Sequence, residues 1–197
     1  MIGIIEYGAG NIRSVRNALK RLGIQHFVSS KKPELDKAEK LIFPGVGEAR
    51  SAMNALADTG LTEWLKEITV PFLGICLGMQ LLFEYTTERD TDCLGIISGT
   101  NEKFPNGQTG LKVPHMGWNQ VQQNSDNPLF DGIESGEHFY FVHSYFAPIV
   151  PETIGITNYS IQFTSALKMK NYYGVQFHPE KSGKIGLQVL KNFVELC

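Results

Sequence analysis

A single cysteine stands between two glycines in the segment G-I-C-L-G at 74–78, where an apolar strand pattern gives way to a helical one. A strand–turn–helix of this kind is the geometry of a nucleophile elbow, whose flanking residues must be small because strand and helix approach closely. The helix N-terminus would stabilise a thiolate at Cys76 and an oxyanion beside it. Most lone cysteines are buried small hydrophobes, and Cys93 and Cys197, which lack this context, are interpreted in that way. For Cys76 the two glycines favour a nucleophile.

A base for this thiol is offered by the segment H-P-E at 178–180, which follows an apolar strand pattern. Residues i and i+2 of an extended chain point to the same side, so the Glu180 carboxylate can lie beside the His178 imidazole. Pro179 favours that extended conformation at His178. Nucleophilic catalysis needs such a base and a group that orients it. Taken alone, His178 is more simply a surface histidine, but the whole pattern favours a Cys76–His178–Glu180 triad.

A glycine-rich turn, P-G-V-G at 44–47, follows another short strand pattern. Acyl transfer through Cys76 would create an oxyanion that needs backbone donors, and one of them is the N–H of Leu77. A second donor could come from the turn that ends at Gly47, because glycine permits peptide orientations that other residues resist. Taken alone, this motif favours an ordinary tight turn.

The bulk composition argues against several classes of protein. A net charge of −2 makes nucleic acid an unexpected partner. The sequence contains no run of about 18 apolar residues, so it predicts no membrane span. The apolar N-terminal segment lacks the basic flank of a signal peptide. Three cysteines without a C-x-x-C pair argue against a disulfide framework, and no histidine pair has metal-ligand spacing with a third donor. We therefore expect a cytoplasmic protein without a metal site.

The elements that must position these groups alternate in the first half of the chain. Apolar runs bounded by turn residues predict strands at 2–6, 40–43 and 71–75. Amphipathic spacing predicts helices at about 11–22, 49–56, 61–68 and from 77. Later strands are predicted at 111–123, 138–146, 153–159, 161–168 and 172–177. Asn11 is the candidate N-cap of the first helix, and Ser182 is that of a last helix beginning at about Gly183.

This order of elements predicts one α/β domain spanning residues 1–197. We expect a mostly parallel central sheet with helices on both faces and additional antiparallel strands. In such sheets, functional groups collect at the carboxyl ends of the strands. Cys76, His178 and the P-G-V-G turn each follow a predicted strand and therefore fall at such ends.

Together these motifs resemble the class I glutamine amidotransferase family. The resemblance covers the whole chain and rests on G-I-C-L-G with Gln80 and on H-P-E, which agree with the family in order and role. It implies that glutamine is hydrolysed to glutamate and ammonia without a cofactor. In this scheme Cys76 attacks the amide, His178 moves the proton, and Glu180 orients His178.

The same resemblance implies roles for residues around the triad. The N–H groups of Gly47 and Leu77 would form the oxyanion hole. Contacts for the amino-acid end of glutamine would come from Gln80, Glu88, Ser144 and Tyr145. Interface positions for a partner would be Asn11, Ser14, Pro114, Met116, Trp118, Tyr140 and Lys181. From the residues alone, Trp118 could equally belong to the core and Tyr140 to sheet packing.

Five segments narrow the resemblance to one branch of the family, the glutaminase subunits of imidazole glycerol phosphate synthase in histidine biosynthesis. They are P-G-V-G at 44–47, C-L-G-M-Q-L-L at 76–82, V-P-H-M-G-W-N at 113–119, F-Y-F-V-H-S-Y at 139–145 and H-P-E-K-S at 178–182. This branch implies a heterodimer in which ammonia passes to a cyclase subunit, a (β/α)8 barrel.

Three other functions stay open at this point. A paralogous glutaminase subunit could feed ammonia to another synthase, for instance in surface-sugar amination. A non-catalytic scaffold could retain the fold, although an intact triad argues against it. A cysteine hydrolase of γ-glutamyl amides would be fully active alone, whereas a channelled glutaminase would be nearly silent without its partner.

Overall fold

The computed structural model describes residues 1–8, 10–105 and 112–197. Within these residues the chain forms thirteen β-strands and six α-helices. The strands are β1 (Ile2–Ile5), β2 (His26–Ser29), β3 (Lys40–Gly45), β4 (Phe72–Cys76), β5 (Phe83–Thr86), β6 (Thr91–Asp92), β7 (Ile97–Lys103), β8 (His115–Gln123), β9 (Glu137–His143), β10 (Tyr145–Phe146), β11 (Thr153–Tyr159), β12 (Ile161–Met169) and β13 (Tyr172–Val175). The helices are α1 (Ile12–Arg21), α2 (Lys32–Leu35), α3 (Ala49–Asp58), α4 (Leu61–Glu67), α5 (Leu77–Gln80) and α6 (Gly183–Leu196). No helix in these described ranges is long and apolar enough to cross a membrane.

The central sheet has nine strands in the order β2-β1-β3-β4-β13-β12-β11-β8-β9. Pairing is parallel from β2 to β13 and antiparallel from β13 to β9, which confirms the predicted fold class. The strands that precede the three candidate groups, β3, β4 and β13, are neighbours. Their register pairs Gly45 with Cys76 and Val175 with Ile75. The carboxyl ends of all three strands therefore lie together at one edge of the sheet.

Helices cover both faces of the parallel part because successive strand residues point to opposite sides. From β3, Ile42 belongs to the core that includes α1 and α6, whereas Leu41 and Phe43 belong to the core that includes α2, α3 and α4. Helix α1 turns Val15 and Leu19 toward the sheet, one helical turn apart. Burying each of these side chains contributes about 1.5–3 kcal/mol. The spacing of apolar residues thus decides which face of α1 packs on the sheet.

The strand predicted at 138–146 is interrupted at Ser144. Strand β9 ends at His143 and pairs with β8 in the central sheet, whereas β10 begins at Tyr145 and pairs with β7. That second sheet has the order β10-β7-β5-β6. Sequence reasoning misses β5, β6 and β7 because turn and charged residues interrupt their apolar pattern. Ser144 therefore lies where the chain crosses from one sheet to the other.

Asn11 and Ser182 are the N-cap residues of α1 and α6, as predicted, but neither side chain makes a capping hydrogen bond. Asn11 makes no side-chain hydrogen bond to the first turn of α1, and its Nδ2 donates to Oε1 of Glu180 at 3.1 Å. The Oγ of Ser182, instead of capping α6, donates to the carbonyl oxygen of His178 at 2.7 Å. The helix predicted from Leu77 is the single turn α5, whose residues are all buried. At Asn11, a contact with a distant part of the chain takes the place of the expected side-chain cap.

Candidate active site

A cavity of about 300 Å³ lies at the carboxyl ends of β3, β4 and β13. Cys76 and His178 both line it. The residues predicted for the oxyanion hole and for substrate contacts also line it, namely Gly47, Leu77, Gln80, Glu88, Ser144 and Tyr145. The fold therefore brings together groups from five separate stretches of the chain around one space.

Cys76 ends β4 in a backbone conformation that side chains rarely adopt, with a φ of 54° and a ψ of −109°. Such a conformation costs on the order of 1–3 kcal/mol and persists only where the surroundings impose it. The neighbouring glycines permit the close packing that does so. A Cβ at Gly78 would lie 2.1 Å from the carbonyl oxygen of Phe43, and a Cβ at Gly74 would lie 2.5 Å from that of Gly78. The sharp strand-to-helix turn holds the thiol at the cavity wall.

His178 and Glu180 are buried beside this turn, with side chains that are each 1% exposed. Nδ1 of His178 lies 2.9 Å from Oε1 of Glu180. Because a carboxylate only accepts hydrogen bonds, this contact places a proton on Nδ1. Nε2 of His178 is buried and makes no hydrogen bond within the described residues. The imidazole is thus oriented from behind and has one nitrogen left for proton transfer.

The pKa of His178 reflects competing effects of its surroundings. Burial lowers this pKa, whereas the negative charge of Cys76 and the hydrogen bond and charge of Glu180 raise it. The raising effects prevail, and the pKa of His178 lies well above its ordinary value. The site therefore favours an imidazolium at His178 beside the Cys76 sulfur.

Gln176, which sequence reasoning misses, contacts the sulfur. Its side chain is fully buried, and its Nε2 lies 3.5 Å from Sγ of Cys76. Its Oε1 accepts a hydrogen bond from Nε2 of Gln80 at 2.8 Å, and the same Gln80 nitrogen donates to the carbonyl of Tyr145 at 2.8 Å. The sequence signal that could have identified it is a polar residue in an apolar strand, two positions before His178 and so on the same side of the chain.

Glu88 reaches the cavity from the loop after β5. Its Oε2 accepts a hydrogen bond from the N–H of Ala49 at 2.8 Å, at the start of α3. Burial raises the pKa of Glu88, the Ala49 N–H lowers it, and the charge of Glu48 adds to the increase. Gly47, just before this helix, has a φ of 103°, which glycine adopts without strain. Glu88 thereby holds the helix that follows the glycine-rich turn.

A buried histidine pair, also missed from the sequence, supports the far wall of the cavity. Nδ1 of His143 lies 2.7 Å from the carbonyl oxygen of Tyr145, and Nε2 of His143 lies 3.0 Å from Nδ1 of His115. Nδ2 of Asn119 lies 3.2 Å from Nε2 of His115. Burial lowers the pKa of His115 to about 4 and that of His143 to about 3. Both rings are therefore neutral near pH 7.

Three exposed residues, Met116, Trp118 and Lys181, and the half-buried Tyr140 form a surface patch beside His178 and Glu180. Met116 is 62% and Trp118 56% exposed on β8, so the alternative that Trp118 belongs to the core is wrong. The rings of Trp118 and Tyr140 meet edge to face with centroids 6.1 Å apart, and Nζ of Lys181 lies 5.7 Å from the Tyr140 centroid. Pro114 is exposed and also lines the cavity. The remaining predicted interface positions, both half-buried near the start of α1, are Asn11 and Ser14.

Known proteins resemble this chain along its whole length. Residues 3–197 match the family described as glutamine amidotransferase class-I. The chain is 50% identical over 192 residues to the imidazole glycerol phosphate synthase subunit HisH of Mannheimia succiniciproducens, covering 98% of each chain. It is 47% identical over 195 residues to the subunit of the same name from Bacteroides fragilis, covering 99% of each chain. A solved glutamine amidotransferase shares its fold, with a TM-score of 0.75 at 20% identity over 99% of this chain and 97% of that one.

Proposed function

Because this chain belongs to the class I glutamine amidotransferase family, we propose that it is the glutaminase subunit of an imidazole glycerol phosphate synthase. In this function it hydrolyses L-glutamine to glutamate and ammonia and supplies the ammonia for histidine biosynthesis. The observation that carries the proposal is the strained Cys76 turn beside the His178–Glu180 pair at the wall of one cavity. Identities of 50% and 47% to HisH subunits over nearly their full length support the choice of synthase.

The first half of the reaction forms a thioester on Cys76. The thiolate attacks the side-chain amide carbon of glutamine, and the N–H groups of Gly47 and Leu77 stabilise the tetrahedral oxyanion. His178 donates its Nε2 proton to the amide nitrogen as the C–N bond breaks, and ammonia leaves. Glu180 accepts from Nδ1 throughout and keeps the imidazole in place.

The second half of the reaction hydrolyses the thioester. His178, now neutral, takes a proton from water through Nε2 while the water oxygen attacks the thioester carbon. The second tetrahedral intermediate loses the Cys76 thiolate and releases glutamate, which restores the thiolate–imidazolium pair. The balance is glutamine plus water to glutamate plus ammonia, and this balance requires no cofactor.

The amino-acid end of glutamine binds in the part of the cavity away from the sulfur. An α-ammonium group needs acceptors, and the Glu88 carboxylate supplies a charged one. The Gln80 amide uses its Nε2 on Tyr145 and Gln176, so its Oε1 is the atom that can accept from the ligand. The α-carboxylate needs N–H donors, and the backbone at Ser144 and Tyr145 offers them at the crossing between the two sheets.

The partner in this proposal is a (β/α)8-barrel cyclase subunit that forms a heterodimer with this chain, which acts as one domain in the cytoplasm. Exposed Met116 and Trp118 support a docking face, because large apolar and aromatic side chains are typical of interface cores. The face is also joined to the triad, since the Tyr140 carbonyl accepts from the His178 N–H at 2.8 Å. The free Cys76 thiol supports this location, because thiols stay reduced in the cytoplasm and the mechanism needs a free thiol.

Glutamate release from glutamine tests the proposal, measured first for this chain alone and then with the barrel cyclase and its ribonucleotide ligand. We expect near-silence alone and strong stimulation in the mixture. Full activity of the chain alone would instead indicate a free-standing hydrolase. No activity in either case, with Cys76 still reactive toward an alkylating glutamine analogue, would indicate a different synthase, such as one of surface-sugar amination.

A further inference from the structure

We propose that Gln176 is a further catalytic residue of this site, whose side-chain N–H holds the Cys76 sulfur and stabilises it as a thiolate. The proposal rests on the glutaminase function given above. Gln176 lies two residues before His178, its side chain is 0% exposed, and its Nε2 is 3.5 Å from Sγ. The amide therefore touches the reacting atom itself.

The orientation of the Gln176 amide follows from a chain of hydrogen bonds that starts at a backbone carbonyl. The carbonyl oxygen of Tyr145 can only accept, so the Gln80 atom 2.8 Å away is the nitrogen Nε2. That nitrogen also lies 2.8 Å from the Gln176 amide, so the Gln176 atom facing it is the oxygen Oε1. The other end of the Gln176 amide, which faces the sulfur, must then be its NH2 group. The donor toward Cys76 is thus fixed by the fold.

The sulfur needs such a donor because its other neighbour, a backbone carbonyl, is unfavourable to a negative charge. The carbonyl oxygen of Val142 lies 3.9 Å from Sγ. A thiol can donate its proton to this oxygen. A thiolate has no proton to donate, and the partial negative charge of the carbonyl oxygen repels it. A neutral N–H directed at a buried anion is worth about 1.5–3 kcal/mol, which corresponds to about 1–2 pH units in the titration of the group. Gln176 therefore offsets the effect of Val142 when the proton moves to His178.

One neighbouring hydroxyl offers a matched comparison. Tyr7 is buried. Its pKa is raised mainly by burial and, to a smaller extent, by the charge of Cys76. Its hydroxyl makes no hydrogen bond within the described residues. Tyr7→Phe thus removes a buried polar atom near the same charge without removing a donor bound to the sulfur.

Alkylation of Cys76 by iodoacetamide as a function of pH tests the proposal. The rate is read from the Cys76 peptide by mass spectrometry in wild type, Gln176→Met, Gln176→Glu and Tyr7→Phe. We expect the pH of half-maximal rate to rise by about 1–2 units in Gln176→Met. It should rise further in Gln176→Glu, which keeps an acceptor for Gln80 but turns a carboxylate oxygen toward the sulfur. Tyr7→Phe should leave the midpoint unchanged.

Turnover gives a second readout on the same variants. In complex with the cyclase, kcat for glutamine hydrolysis should fall at least about tenfold in Gln176→Met, with a smaller change in KM. Unchanged alkylation midpoints in folded Gln176→Met and Gln176→Glu would overturn the proposal. Iodoacetamide has no amino-acid end, so the alkylation profile tests Gln176 even if the wild-type chain does not hydrolyse glutamine.

A measurement on the unsubstituted side chain covers the case in which the Gln176 variants do not fold. The side-chain NH2 signals of Gln176, observed by ¹⁵N NMR, should shift when Cys76 is replaced in Cys76→Ala. Identical Gln176 signals in the two proteins would exclude a bond between this amide and the sulfur.

Discussion

Asn11 donates a hydrogen bond from Nδ2 to Oε1 of Glu180 over 3.1 Å, and the same oxygen lies 2.9 Å from Nδ1 of His178. The two bonded residues are 169 positions apart in the chain. One carboxylate oxygen thus joins the start of α1 to His178, the proposed catalytic base. A displacement of α1 would therefore be transmitted directly to the group that orients His178.

Asn11→Ala should reduce glutamine turnover without unfolding the protein. The substitution removes a donor to a buried carboxylate, and hydrogen bonds to charged groups are worth about 1.5–3 kcal/mol, so kcat should fall on the order of tenfold. Glutamate release in the cyclase complex measures the effect. Asn17→Ala, at an exposed position of the same helix, is the matched control and should keep full turnover. Equal activity of the two variants would show that the Asn11–Glu180 bond has no role in catalysis.

Cys76→Ala should abolish glutamine hydrolysis while leaving the cyclase reaction with added ammonium salt intact. The reason is that the thiol is the proposed nucleophile, whereas the exposed side chains of Met116 and Trp118 lie outside the cavity. Ammonia-dependent product formation and glutamate release, measured on the same complex, separate the two activities. Cys93→Ala serves as the control and should retain both. Loss of the ammonia-dependent reaction in Cys76→Ala would mean that this chain has a different role in the complex.

The free energy of unfolding should fall as pH falls from about 6.5 to about 4.5. Burial lowers the pKa of His115 to about 4 and that of His143 to about 3, whereas both side chains titrate near pH 6.5 in the unfolded chain. Over this range the unfolded chain binds protons that the folded protein does not, so the stability present above about pH 6.5 is lost as pH falls. Chemical denaturation across this range measures the slope.

His143→Gln provides the comparison for this pH dependence, because a glutamine amide can still donate to the Tyr145 carbonyl but does not titrate. The slope should be flatter in this variant, which has one fewer histidine with a lowered pKa. Equal slopes in wild type and His143→Gln would contradict a neutral, buried His143.

His143 and His115 should both carry their single proton on Nδ1. The Tyr145 carbonyl can only accept, which assigns the proton of His143 to Nδ1 and makes its Nε2 an acceptor for Nδ1–H of His115. Nitrogen chemical shifts of the two rings near pH 7 measure the tautomers. A proton on Nε2 of His143 would break this arrangement. His26 provides a comparison in the same spectrum. It is half-buried, and its Nδ1 lies 2.9 Å from the carbonyl oxygen of Ile24, so its proton should also be on Nδ1.

Local spacing was enough to predict the parts of the site that lie close together in the chain. Cys76 between its glycines requires only a strand, a turn and a helix start, and His178 reaches Glu180 through two peptide bonds. Both patterns depend on the geometry of no more than about five consecutive residues, so they can be recognised directly in the sequence. The order of elements likewise predicts that these motifs follow strands, and parallel pairing then brings them to one edge of the sheet.

Contacts across long stretches of chain account for what could not be predicted. Asn11 has the residue type and position of a helix cap, but its amide bonds to a carboxylate that only the folded sheet brings near. The histidines at 115 and 143 meet because β8 and β9 pair in one particular register. Gln176 stands in an apolar run with no local reason for a polar residue, and its reason is a sulfur 100 positions away. Such pairings depend on tertiary packing, which overrides local preference.

The backbone at Cys76 has a consequence for how this fold can change over generations. Glycine reaches a φ of 54° far more easily than cysteine does, so replacing Cys76 with glycine would relieve strain at the end of β4. Selection for stability alone would therefore favour losing the thiol, whereas the demand for ammonia in the proposed function requires it. Homologues that no longer need to supply ammonia should evolve toward more stable, inactive proteins, with residue 76 among the first positions to change.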